Sequence, residues 1–378
     1  MPDTTRLKWL STPGTAVVKV GTNVLADASG KLDRARIVSL AGQIHRLRAA
    51  GWKIVLVSSG AIGAGVGKLG LESRPTELPQ LQACAAVGQT ALMQMYQEAF
   101  APHGITPAQI LLIASDFDHR PRYLNTRNTL RTLFEYGCLP IINENDTVSV
   151  AEIKFGDNDH LAAMVANLLQ APLLVLLTNV DGLYDADPRS DANAKLVATV
   201  PYIDAAVTGL AQVTKSALGT GGMRSKLKAA RLATAAGGAV VMANGSIDGV
   251  LDSIFAGEPV GTLFLPHGES LSAMKRWIGF TARPQGTLTI DDGAKRAIVE
   301  QGKSLLAVGV RGVAGNFGKG GLVAIVDSIG VEIARGLCNY TSTDAAKIAG
   351  CKAEQIAVVL GSIPYPEIVH RDNLAVTG

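Results

Sequence analysis

Apolar residues along the chain follow two periods that take turns. Short runs at residues 16–20, 53–57, 110–113, 139–142, 173–177 and 239–242 are continuous and rich in Val, Ile and Leu, as buried strands are. Between them apolar positions recur at helical spacing, most plainly Ile37, Leu40, Ile44 and Leu47 within 33–50, a segment closed by Gly51. Further helices are expected over 81–100, 123–136 and 247–255, and another through Leu161, Met164, Val165, Leu168 and Leu169. This alternation predicts an α/β fold, a largely parallel sheet sandwiched by helices. After residue 256 the pattern breaks, with Pro259, Pro266 and Pro284 in an irregular stretch. Strands at 286–290, 305–310, 321–327 and 331–337 around a short helix at 293–300 then predict a small β-rich domain. The expected organisation is a flexible extension over 1–15, a main domain over 16–266, a linker over 267–283, the small domain over 284–364 and a loose tail over 365–378.

The polar positions cluster where the strands end. Asn143, Glu144, Asn145 and Asp146 follow the run at 139–142, and Asp157, Asn158 and Asp159 precede the next helix. Asn and Asp commonly cap helices and make turns. Seven carboxamides and carboxylates around one strand and one helix suit a pocket beyond the carboxyl end of a sheet. Like charges so close repel unless a cation shares the site, so a positively charged ligand group, a metal ion or a nearby lysine is expected there. Lys19 lies inside an otherwise apolar strand, as a snorkelling edge residue or as a cation aimed at the mouth of the sheet.

Glycine-rich turns add a second kind of chemistry. Ser58-Ser59-Gly60 ends the second strand and can bring backbone amides to a small charged ligand. Gly65, Gly67 and Gly70 satisfy G-x-G-x-x-G, but they lie beyond that turn, which argues against a dinucleotide site. Gly67-Lys68 fails the P-loop pattern, with Ile62 at the first glycine position and Leu69 in place of Ser or Thr. Residues 219–226, GTGGMRSK, place three glycines before a helix with Lys226 one turn inside it, which suits phosphate binding.

Composition narrows the classes of function. The 378 residues are 47% hydrophobic and 18% charged with a net charge of +3, a globular balance too weakly basic to argue for nucleic acid. No apolar run is long enough for a membrane span, and the first fifteen residues lack a signal-like stretch, so a cytoplasmic location is expected. Cys84, Cys138, Cys338 and Cys351 show no metal-ligand spacing and read as buried thiols.

Taken together, VVKVGT at 17–22, SSGAI at 58–62, INEND at 142–146, KFGDND at 154–159, LTNVDGLY at 177–184 and GTGGMRSKL at 219–227 resemble the amino-acid kinase family, in particular its members that act on glutamate. The segment after about residue 284 resembles the PUA domain carried by many bacterial members. The resemblance implies ATP-dependent phosphorylation of the L-glutamate side-chain carboxylate, the first step of proline biosynthesis. It implies Lys19, Lys226 and Asp159 as catalytic residues, Asp159 organising the two lysines. It implies an ATP site made by Lys19, Thr178, Asn179, Thr220, Gly221, Gly222, Met223, Arg224, Ser225 and Lys226, with Mg²⁺ accompanying the nucleotide and no protein metal cage. Glutamate would meet Ser59, Asp146 and Asn158, with Asn143 and Asp157 beside them. Proline as feedback inhibitor, a homo-oligomer (dimer or tetramer) and coupling to glutamyl phosphate reductase are also implied. Competing readings are another amino-acid kinase, acting on aspartate or acetylglutamate, and RNA binding through Arg311, Lys319 and Arg335 of the small domain.

Overall fold

In the computed structural model, residues 4–10, 12–27, 32–149, 158–213, 222–266, 272–361 and 365–377 are described, and they divide between two compact units, Met1–Glu269 and Ser270–Gly378. The first unit is built on strands β1 (Thr15–Val20), β2 (Lys53–Ser58), β3 (Pro107–Leu112), β4 (Leu139–Glu144), β5 (Leu173–Thr178), β6 (Thr199–Val200), β7 (Ala239–Asn244) and β8 (Thr262–Phe264). They form one sheet in the order β3-β4-β2-β1-β5-β7-β8-β6. The six strands from β3 to β7 are parallel, and β8 turns antiparallel to β7.

Every residue of β4 and β5 is buried, which is why 139–142 and 173–177 within them read as unbroken apolar runs. Helices Arg34–Ala49, Leu78–Phe100 and Val250–Phe255 share one core cluster with Val18, Leu56, Val175 and Val241 of the sheet. Helix Asn158–Leu169 packs on β1, β5, β2 and β4, and Met223–Ala235 packs beside it on β7.

Helix Ala61–Lys68, which periodicity did not predict, explains a glycine of the G-x-G-x-x-G triplet. A Cβ at Gly65 would lie 1.8 Å from Cys84 O, and one at Gly88 would lie 1.8 Å from Ala61 O. The glycines let this helix and Leu78–Phe100 touch backbone to backbone.

Residues 4–10, expected within a flexible extension, form a helix. Helix Thr4–Leu10 buries Arg6 completely, and its guanidinium donates to the carbonyls of Ala198, Glu258, Val260 and Gly261. A polar residue serves as the anchor, so apolar periodicity could not reveal it.

The second unit holds β9 (Gly286–Ile290), β10 (Leu305–Leu306), β11 (Val310–Gly315), β12 (Leu322–Val326), β13 (Glu332–Cys338) and β14 (Glu367–Val376), in the order β10-β14-β13-β12-β9-β11. Two expectations fail here. The expected tail is β14, paired on both sides, with Ile368, Val369, Leu374 and Ala375 buried around a polar middle that hides the strand pattern. The expected linker contains helix Ala273–Arg276 and a π-helical turn, Trp277–Thr281, whose Trp277 and Ile278 are buried and which packs on β13 and β14.

The cations considered for RNA are engaged inside this unit. Arg311 pairs with Asp291 at 2.7 Å, Arg335 with Glu332 at 2.8 Å, and Lys319 sits 4.5 Å over the Tyr365 ring. All four cysteines are free, but only Cys84 and Cys338 are buried; Cys138 and Cys351 are half-buried, contrary to the expectation of four buried thiols.

Candidate active site

The central strand β1 lies between β2, the next strand in sequence, and β5, which leads on to β7. The chain thus leaves the middle of the sheet in both directions, and the crevice beyond the carboxyl ends at such a switch point is where open α/β sheets bind ligands. Lys19 is the penultimate residue of β1, Ser58 ends β2, Asn143 and Glu144 end β4, and Thr178 ends β5. Helices Asn158–Leu169 and Met223–Ala235 begin at the same edge and bring in Asp159 and Lys226.

Asp159 binds both lysines. Its Oδ1 is 2.6 Å from Lys19 Nζ and its Oδ2 is 2.8 Å from Lys226 Nζ. The carboxylate is 0% exposed, and the lysines are 5% and 8% exposed. Burial alone would push the Asp159 carboxyl up, but the charges and hydrogen bonds of Lys19 and Lys226 outweigh it and hold the group well below the usual carboxylate range. Two ammoniums and one carboxylate leave a net positive charge where two helices start, an arrangement that attracts a polyanion.

Beside the ion cluster lies a pocket lined by Thr22, Ser59, Gly60, Arg74, Asn143, Glu144, Asp146 and Asn158, among others. Gly60 adopts φ +106°, which only glycine takes without strain, so the serine turn can enter the next helix. Asn158 Nδ2 donates toward Ser58 O at 2.6 Å, Asn143 Oδ1 at 2.7 Å and Ser59 Oγ at 3.0 Å. Glu144 is buried and accepts from Ser149 Oγ at 2.9 Å. Carboxylates and amide oxygens here suit a small zwitterion with an ammonium group.

A second cavity opens around Thr178, Asn179, Leu183, Tyr184, Leu210, Gly222, Met223 and Lys226. It encloses about 240 Å³ against about 70 Å³ for the first, and Lys226 in its wall joins it to the ion cluster, so of the two it is the one suited to a nucleotide. Gly182 lines it in close packing, where a Cβ would lie 2.5 Å from Thr262 Oγ1. Asn244 Nδ2 and Tyr184 OH both donate to Asp181, at 2.8 and 3.0 Å, which fixes the turn after β5.

The amino acid kinase family profile matches residues 14–244, well over half of the chain. The chain belongs to the amino acid kinase family. A PUA domain profile matches residues 286–360, while the second unit extends beyond that match on both sides and includes β14. Curated relatives match nearly end to end. A glutamate 5-kinase of Myxococcus xanthus is 50% identical, covering 95% of this chain and 95% of the relative. One from Pseudomonas paraeruginosa is 49% identical over 95% and 96% of the two chains. A third, from Caldanaerobacter subterraneus, is 48% identical over 95% and 97%.

Within this amino acid kinase unit, the structure brings Lys19, Asp159 and Lys226 into one cluster, and Ser59, Asn143, Asp146 and Asn158 into one pocket. Thr178, Asn179, Gly222 and Met223 line the larger cavity. Arg224 and Ser225, expected in the ATP site, are not among its lining residues. Arg224 is exposed, and the Ser225 hydroxyl turns back to Gly222 O at 2.9 Å to close the first helical turn. Asp157, Thr220 and Gly221 lie outside the described residues. Arg74 and Leu210 escaped the sequence reading because no motif surrounds them. Leu183 and Tyr184 lay within a quoted motif and could have been assigned to the cavity wall.

Proposed function

We propose that the chain transfers the terminal phosphoryl group of ATP to the side-chain carboxylate of L-glutamate, giving L-glutamyl 5-phosphate and ADP. The observation that carries this reading is Asp159 holding Lys19 and Lys226 together between the smaller pocket of acids and amides and the larger cavity beside Lys226. The end-to-end glutamate 5-kinase relatives support the substrate.

The chemistry asks little of the protein beyond charge and alignment. A glutamate side chain has an ordinary pKa of about 4.3, so it is already ionised and nucleophilic at neutral pH. Its oxygen forms the new P–O bond as the bond from phosphorus to the bridging oxygen of ADP breaks, and no proton need move. Lys19 and Lys226 meet the charge spread over the phosphoryl oxygens in the transition state. Asp159 keeps both ammoniums in place, and its buried negative charge offsets their repulsion. The substrate ammonium falls to Asp146, Glu144 and the oxygens near Asn158, and Arg74 is the pocket cation suited to its α-carboxylate. An N-acetylated substrate lacks that ammonium and would leave these acids unmatched.

Among the described residues no cluster of three or more His, Cys, Asp or Glu side chains could hold a metal. They offer no cage for Mg²⁺, which we place on phosphate oxygens and water, where it would neutralise phosphate charge. Proline acting at the glutamate pocket, assembly into a homo-oligomer and handover of the labile product to glutamyl phosphate reductase belong to the same proposal.

The test is ADP release from Mg²⁺-ATP with L-glutamate, L-aspartate, N-acetylglutamate or carbamate, with hydroxylamine present to trap an acyl phosphate. Turnover selective for glutamate, trapped as its hydroxamate and lowered by added proline, is expected. Turnover selective for another acceptor would overturn the substrate assignment.

A further inference from the structure

Behind the substrate pocket, Gln89 enters from helix Leu78–Phe100, 9% exposed and adjacent to the tightly packed Gly88. Its Oε1 accepts from Asn143 Nδ2 at 2.8 Å. Asn143 Oδ1 accepts from the backbone N–H of Glu144 at 2.9 Å and from Asn158 Nδ2 at 2.7 Å. Asn158 Nδ2 in turn donates to the backbone carbonyl of Ser58.

The two backbone groups fix the sense of this chain. A backbone N–H can only meet the oxygen of Asn143, and a backbone carbonyl can only meet the NH₂ of Asn158. The Asn143 NH₂ must therefore face the protein interior, where Gln89 Oε1 receives it. Without that acceptor a buried NH₂ would be stranded, and the amide gains by rotating away from its place between Glu144 and Asn158. Asn158 would then lose one of the contacts that turn its NH₂ inward and leave its own oxygen to the pocket.

We propose that Gln89 is a positioning residue for the amino-acid substrate: it holds Asn143, and through it Asn158, in the orientation that receives the substrate ammonium. Gln89 touches neither the Lys19–Asp159–Lys226 cluster nor the nucleoside cavity, so its influence is confined to one substrate. It also borders a cavity of about 230 Å³ shared with Ala61, Glu144 and Asp146, which leaves room to exchange a side chain of the same length.

The inference rests on the reading of this pocket as the glutamate site. Gln89→Met keeps the length and removes the amide acceptor, whereas Gln89→Glu keeps an acceptor oxygen in either protonation state. For Gln89→Met the glutamate KM is expected to rise on the order of 10-fold with the ATP KM within about twofold, the scale of one buried hydrogen bond. Gln89→Glu is expected within about threefold of wild type for glutamate. In an Asn143→Ala background, Gln89→Met should add less than about twofold, because the residue it acts through is gone. Should Gln89→Met not fold, Gln89→Asn, which draws the oxygen back by one methylene, carries the same expectation.

An unchanged glutamate KM in the folded variant, equal rises for both substrates, or an undiminished effect without Asn143 overturns the proposal. Wild-type enzyme that ignores glutamate and phosphorylates another acceptor overturns the reading of the pocket instead, so the two failures are told apart by the unmutated protein.

Discussion

One side of the crevice rests on a buried ion cluster; the other sets Arg74, Glu144 and Asp146 before a network of neutral amides whose contribution is orientation. At the first, two ammoniums share a single carboxylate that water does not reach. At the second, Gln89, Asn143, Asn158 and Ser59 form a run of neutral groups in which both ends of the Asn143 amide and the NH₂ of Asn158 have set partners. Buried charges stand only when paired, so the ionic side stores a strong field that an anionic nucleotide can use. Neutral amides carry no such field, and their value lies in which end faces the ligand. Damage to the ionic side should therefore appear in stability and turnover, and damage to the amide side in the demand for one substrate.

The severest way to break this contrast is to neutralise the shared acid. Asp159→Asn leaves Lys19 and Lys226 facing each other with no counter-charge, which should cost about 3–5 kcal/mol of stability in urea unfolding at pH 7 and abolish most turnover. The pH dependence has a defined sign. Because the folded carboxyl lies below its ordinary value of about 3.9, its contribution is complete above that value and is lost as pH falls toward the folded one. The stability gap between wild type and Asp159→Asn should narrow below about pH 4, and a gap that widened there would contradict the ion cluster.

Lys226→Ala comes next. It should lower kcat on the order of 10²-fold or more while moving the glutamate KM by no more than a few fold. Near-normal turnover would remove Lys226 from the mechanism. The smallest expected effect sharpens the comparison from the other side: Asp146→Ala should raise the glutamate KM on the order of 10-fold with ATP binding intact. Loss of ATP affinity in that variant would mean that the two sides of the crevice are wrongly divided.

Much of the main unit was legible because fully buried strands write themselves as apolar runs. β1, β2, β4, β5 and β7 were each placed to within two residues at either end. The polar residues after them marked the functional edge for the same reason: a core strand ends where its side chains turn polar. Elements anchored by polar groups stayed hidden. Arg6 fastens the first helix through four backbone carbonyls, and β14 crosses its sheet with His370, Arg371, Asp372 and Asn373 in its middle. Neither carries the alternation that reveals a strand or a helix in the chain alone.

The sequence by itself determined the kinds of groups available, a lysine in a core strand, amides and acids at strand ends, glycines before a helix, and the alternation that forces a covered parallel sheet. Only the tertiary structure decided which of them meet. Lys19, Asp159 and Lys226 come from three distant segments, and Gln89 reaches Asn143 across 54 positions of sequence. Periodicity reports what each residue buries within its own element. The pairing of a charge or the direction of an amide depends on which strand ends and helix starts the sheet order brings together.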